Sequence, residues 1–355
     1  MNTLPVPPRR PSGRYARGFS LIEIMVGLVI AMIGVIIMME VLITSEQRTR
    51  TTNAGNEATS GGAVMLHMLT TDLKQAGYGF NNATTLGCSI TVPTGAVVPL
   101  APVVINPATS LIPAGDANTD TLLVAYGSGN GQPEGNKVTG IAGSVYKVQA
   151  AESFAPNDYV VAAPCTTSGI LAKVTAASPA TLSVTVNTVQ AGATTLYNLG
   201  AAPRIVAYAV RNGSLTSCDF MTNDCRTNSA TNWVAVSGNI VSLRLQYGHG
   251  TAANGQVSSW NQTTPATQCD WMKTPAVRLA LLARSTQYET TISDTTKQRT
   301  CEAVTGATPL WTGSSGTPNA PFVLSNSDWQ CYRYKTFEST APARNIIWSA
   351  SDSGC

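Results

Sequence analysis

The residues able to do chemistry are few. The chain has 355 residues with two histidines, His67 and His249, eight cysteines, and 12% charged residues, half the usual share of about 25%. Two histidines make a catalytic metal centre built on imidazole a poor expectation. Asp116-Ala-Asn118-Thr-Asp120 alternates oxygen ligands as a calcium loop does, but it lacks the glycine and the distal bidentate Glu of the EF-hand pattern, and Asp and Asn before a strand are ordinary turn residues. His249 lies in Tyr-Gly-His-Gly, and no G-x-S-x-G elbow accompanies it. Gly127-Ser-Gly-Asn-Gly131 follows a strand but precedes Gln-Pro-Glu, so it reads as a turn rather than a phosphate cradle. The expectation is a protein that is not an enzyme, with no cofactor and no metal.

The carboxylate that stands out is Glu23, because of what surrounds it. Phe19–Ile43 is an almost unbroken apolar run, and an ionisable group inside such a run suggests function. These 25 residues form a helix of about 37 Å, long enough for a hydrocarbon core of about 30 Å. Four of the 22 basic residues, Arg9, Arg10, Arg14 and Arg17, precede it with no acid among them; the remainder holds 18 basic against 19 acidic residues. The arginines place residues 1–18 in the cytoplasm and the rest outside, and the neutral remainder gives no electrostatic reason to expect nucleic acid. No A-x-A site follows Ile43, as a cleaved secretory signal would require.

Beyond the apolar run, Leu66, Leu69, Leu73 and Ala76 recur at helical spacing, with Asp72 and Lys74 off that stripe and His67 beside it. Gly77 suits a C-cap. Gly55 and the pair Gly61-Gly62 each cost a helix interior about 1 kcal/mol, so the expectation is a helix from about Phe19 to Ala76 with a soft or broken middle. After Tyr78, β-rich runs dominate: 121–126, 159–163, 180–189, 204–211, 240–247 and 277–283, with 81–118, 249–270 and 303–327 expected as surface loops. The fold class is α+β, a long N-terminal helix on an antiparallel β-sheet head. The divisions are residues 1–18, helix 19–77 with its membrane segment 19–43, and head 78–355.

All eight cysteines, Cys88, Cys165, Cys218, Cys225, Cys269, Cys301, Cys331 and Cys355, follow the apolar run. An even number in an exported head points to disulfides, and eight allow 105 pairings. Cys218–Cys225 is the first expectation, since it closes a short hairpin loop; 88–165, 269–301 and 331–355 are weaker ones. Zinc is disfavoured by the lack of a CxxC. Arg333, Lys335 and Arg344 cluster with Trp329, Tyr332, Tyr334 and Trp348; a terminal strand with bases out and rings in is favoured over a partner or DNA contact.

The set Gly18-Phe19-Ser20-Leu21-Ile22-Glu23 after a short basic leader resembles the prepilin cleavage and methylation motif of type IV pilins and pseudopilins. The resemblance implies cleavage between Gly18 and Phe19 by a prepilin peptidase, N-methylation of Phe19, and a filament-assembly role for Glu23. Three head segments, Ile240–Gly248, Val277–Ser285 and Tyr332–Trp348, are similar to those of PilW-family minor pilins, as are Leu73–Tyr78 and Asp120–Val124. Family membership implies a minor pilin that primes pilus assembly in a tip complex with other minor pilins, the major pilin and a large tip adhesin, supporting twitching motility and adhesion. It further implies an inner-membrane, single-pass protein with a periplasmic head, later extracellular in the pilus; the neutral charge of that head leads to the expectation of no direct nucleic-acid partner. A minor pseudopilin of type II secretion is the alternative, to be separated by genomic neighbours. An anchored periplasmic adhesive or binding module is the other, and it would keep its function with an unrelated anchor.

Overall fold

The computed structural model describes residues 18, 20–80, 82–129, 131–165, 169–250, 255–292, 298–313, 320–324 and 326–346. Two units are present, Met1–Asn53 and Ala54–Cys355. Helix α1, Leu21–Gln75, begins in the first and ends in the second. It is helical throughout, including at Gly55, Gly61 and Gly62, where a soft or broken stretch was expected. Tertiary packing overrides the glycine cost at Gly62, which is buried beneath the Phe337 ring where a side chain would not fit.

The head begins with three short strands, β1 (Cys88–Thr91), β2 (Val97–Leu100) and β3 (Val103–Ile105). These correct the expected loop at 81–118. Each is three or four residues long and punctuated by Pro93, Gly95, Pro99 and Pro102, so no alternation develops. Pro99 is accommodated because β2 lies at a sheet edge. Then come β4 (Leu122–Tyr126), β5 (Asn136–Ala142), β6 (Val145–Val148), β7 (Tyr159–Ala163) and β8 (Gly169–Ser178). Next are β9 (Ser183–Val186), β10 (Thr195–Gly200), β11 (Arg204–Arg211), β12 (Ser214–Asp219) and β13 (Val234–Gly238). The expected strand at 180–189 shrinks to β9, because Pro179–Thr181 forms a 3₁₀ turn closed by Leu182 at φ 49°.

The C-terminal part holds β14 (Ile240–His249), β15 (Ser259–Asn261), the one-turn helix α2 (Gln268–Met272) and β16 (Ala276–Arg284). It ends with β17 (Thr290–Ile292), β18 (Arg299–Cys301), β19 (Leu310–Trp311), β20 (Ala320–Pro321) and β21 (Tyr334–Pro342). Thus β15, β19 and β20 lie inside stretches expected to be loops. Three larger sheets result, with orders β2-β1-β8-β7-β10-β5-β6-β9, β13-β12-β11-β4-β3 and β15-β14-β16-β21. The three head segments singled out in the sequence lie side by side in the last of these, antiparallel, with Arg278 opposite Gln246 and Thr340.

The main core joins the C-terminal part of α1 to the inner faces of the sheets. Leu69 and Leu73 of α1 belong to the same buried cluster as Val124, Tyr208, Leu243, Leu245, Leu279 and Leu281. Full burial of one such side chain contributes about 1.5–3 kcal/mol, which places the stability of the head largely here. A second cluster, around Tyr146, Val160 and Leu196, fills the eight-stranded sheet region.

Candidate functional site

Two features define the site: the surface of α1 before Asn53, and the grip of the head on α1 after Ala54. In the first, Ser20 O accepts the amides of Glu23 (3.0 Å) and Ile24 (3.2 Å), which starts the helix and sets Glu23 in its first turn. A carboxylate there is favoured by the helix dipole. Every large apolar side chain from Leu21 to Ile43 is more than half exposed, from 53% at Val26 and Ile33 to 76% at Leu21. The most apolar 18-residue window has a mean hydropathy of 2.8 and no burial. So large an uncovered apolar cylinder is stable only against lipid or against other apolar helices. Gly18 is exposed, next to the start of the helix. Phe19, the expected cleavage and methylation residue, lies outside the described residues.

In the second unit, Ala58, Met65, Leu69 and Leu73 of α1, and Ala76 just after it, are buried. Leu66 is half-buried and His67 is exposed, so the stripe runs through Met65 rather than Leu66. Asp72, expected off the stripe, faces the head. Its two carboxylate oxygens accept the hydroxyls of Tyr126 (3.1 Å) and Tyr208 (2.5 Å), from adjacent strands β4 and β11. The phenol of Tyr126 is pushed up to about 12, by burial first and by Asp72 second, and the same causes raise Tyr208. The end of α1 is capped twice. Gly77 takes φ 81°, as a C-cap requires, and donates its N–H to Ala125 O at 2.9 Å. Asn345 Nδ2 donates to Gln75 O and Ala76 O at 3.0 Å, satisfying carbonyls that a helix end leaves without partners. The run Gly127–Gly131 does serve as backbone packing: a β-carbon at Gly129 would stand 2.7 Å from Gly200 Cα.

The Asp116–Asp120 segment is filled by protein donors. Asp116 accepts the amides of Asn212 (2.9 Å) and Gly213 (2.8 Å). Buried Asp120 accepts Leu245 N–H (2.9 Å), Gln262 Nε2 (2.7 Å) and Asn106 Nδ2 (3.0 Å), and pairs with Arg244 at 3.5 Å. The two carboxylates therefore pin β4 and its preceding loop to the turn before β12 and to β14. His249 Nε2 bonds Asn261 Oδ1 at 2.8 Å. Among the described residues, no group of three His, Cys, Asp or Glu side chains is placed to hold a metal.

Disulfides join Cys88–Cys165, Cys218–Cys225 and Cys301–Cys331, and Cys269 is also disulfide-bonded. The expected pairings 269–301 and 331–355 do not form, since Cys301 and Cys331 bond each other. The reason is local: Cys301 ends β18, whose partner β17 is followed back to Glu289, and Glu289 N–H bonds Cys331 O at 2.8 Å. Cys355 lies outside the described residues, as does Trp348. Arg333 pairs with Glu289 at 3.3 Å, and Arg333 and Lys335 project to solvent between half-buried Tyr332 and Tyr334, which accords with alternation along a terminal strand.

A long N-terminal apolar helix followed by a disulfide-bonded β-rich head is consistent with a type IV pilin-like protein. The family described as Type IV Pilus-assembly protein W matches residues 207–345, and the Prokaryotic N-terminal methylation motif matches residues 13–39. These two matches support the resemblance to type IV pilus minor pilins of the PilW family. Among solved structures, a type IV-like pilin from Thermus thermophilus aligns at 13% identity and a TM-score of 0.34, over 81% of this chain and 96% of that one. No curated protein matches in sequence. The family match begins in β11 and ends at Asn345, the residue that caps α1.

Asp72, Gly62 and Asn345 were not legible as a group. Asp72 falls three residues after Leu69 and seven after Met65, and that spacing is the signal that places it on the packed face.

Proposed function

We propose that the chain is cut between Gly18 and Phe19 by a prepilin peptidase, N-methylated on Phe19, and held in the inner membrane by residues 19–43. Residues 1–18 are cytoplasmic before cleavage, and the head is periplasmic. The chain then leaves the membrane as its apolar helix packs among other pilin helices. It joins other minor pilins and a large tip adhesin in a complex that primes polymerisation of the major pilin. The filament so started supports twitching motility and adhesion. This role is structural rather than enzymatic.

The observation that carries the reading is the exposure of the whole apolar surface from Leu21 to Ile43 around one carboxylate, Glu23, in the first helical turn. Cleavage before Phe19 creates a cationic amine. Glu23 of this chain or of a neighbour neutralises it, and in a low-dielectric helix bundle the two charges compensate costs of several kcal/mol each. Membrane insertion of the single helix needs no such pair, because Glu23 sits close enough to the helix start to reach the interface.

Glu23→Ala tests this. The variant is expected in the membrane fraction at the normal level but depleted from sheared pili. A normal amount in the pili contradicts the assembly role of Glu23.

A further inference from the structure

The sheet β15-β14-β16-β21 has two faces. Val277, Leu279, Leu281 and Ala283 of β16 point into the main core beneath α1, while Ala280 and Leu282 pack on the opposite face under Trp311 and Phe322. On that outer face, next to the apolar cover, lies an open cleft of about 390 Å³ bounded by Trp260, Arg278, Trp311, Thr312, Glu338 and Thr340. Its volume is within the range of about 300–1,000 Å³ common to small-molecule sites.

The arrangement of the walls is specific. The Arg278 guanidinium stands 4.7 Å from the ring centre of Trp260 and 5.9 Å from that of Trp311. Gln246 Oε1 holds it there by accepting from Nε at 2.8 Å and from Nη2 as well. Glu338 stands on the neighbouring strand, opposite Ala280, and accepts Thr312 N–H at 3.0 Å. Trp311 is 3% exposed, and its indole Nε1 has no hydrogen-bond partner among the described residues.

We infer that this cleft binds a neutral saccharide. A pyranose ring offers an apolar C–H face and a rim of hydroxyls. The C–H face suits an indole such as Trp260, and the hydroxyls suit a guanidinium and carboxylate side by side, which satisfy donors and acceptors on adjacent carbons. The opposite charges of Arg278 and Glu338 in the same cleft select against polyanions: nucleic acid requires a basic groove along its backbone, and here Glu338 opposes a phosphate. The inference stands on the head alone and is independent of how the chain enters a filament.

The test is calorimetric titration of the full-length protein in a detergent without sugar groups, using lactose, cellobiose and N,N′-diacetylchitobiose. Saturable binding of at least one is expected. Trp260→Ala is expected to weaken it about tenfold or more through the lost ring face. Glu338→Gln, which keeps the shape of the site, is expected to weaken it several-fold with the near-ultraviolet circular dichroism unchanged. Absence of saturable binding to all three sugars overturns the inference. So does equal binding by both variants, and so does binding confined to oligogalacturonate or to oligothymidylate.

Discussion

Phe337 of β21 lies against Gly62 of α1 so closely that a β-carbon at Gly62 would stand 2.1 Å from the ring's Cε2. This contact joins α1 to the last strand of the head, and it needs hydrogen in place of a side chain.

Gly62→Leu is therefore expected to destabilise the full-length protein by about 1–3 kcal/mol, the cost of overpacking a filled site. Gly55→Ala makes the opposite case, because nothing lies within 4 Å of the added carbon. It is expected to be neutral or to stabilise by up to about 1 kcal/mol. Urea unfolding in detergent micelles reads both, and a destabilisation at Gly55 equal to that at Gly62 would contradict the packing argument.

Asp72 couples α1 to the sheet through Tyr126 and Tyr208. Asp72→Ala leaves two half-buried or buried hydroxyls without their acceptor and is expected to cost about 1–3 kcal/mol. The loss appears in the same unfolding measurement, and an unchanged midpoint would remove the coupling.

The tyrosines also give a pH dependence. Their folded pKa values lie above the unfolded value near 10, so the folded state keeps protons that the unfolded state releases. Their contribution is complete below pH about 10 and falls as pH rises toward about 12. Stability is thus expected to decline across that window. The decline is shallower in Asp72→Asn, which removes the charge but not the burial. Unfolding followed at several alkaline pH values checks the slope, and identical slopes in the two proteins would exclude Asp72 as a cause.

Disulfide removal should follow loop length. Cys88 and Cys165 are 77 residues apart, whereas Cys218 and Cys225 are 7 apart. Chain entropy assigns about 4–5 kcal/mol to the longer loop and about 2–3 to the shorter. Replacing each pair by serine and measuring unfolding gives the order, and a larger loss from the short loop would contradict it.

What the sequence made legible was local. The apolar run to Ile43, the β-rich runs at 204–211 and 240–247, and the glycine after Ala76 each specify structure through neighbours along the chain. What stayed hidden depends on partners far away. Asp72 reads as a polar outsider until Tyr126 and Tyr208 supply two hydroxyls. The helix stays regular at Gly62 because of Phe337, 275 positions later. Strands of three or four residues with proline inside or beside them, such as β2, carry no period to detect. Cys301 meets Cys331 through a hairpin whose register no spacing rule encodes. The cleft was equally scattered, since Trp260, Arg278, Trp311 and Glu338 come from four separate elements or loops.

The central claim is that this chain is a processed pilin whose mature helix begins at Phe19. Intact mass and N-terminal sequencing of the protein, from a piliated strain and from one lacking prepilin peptidase, test it most directly. The account predicts an N-methylated Phe19 terminus in the first strain and its loss in the second. An uncleaved Met1 form in both strains would contradict it.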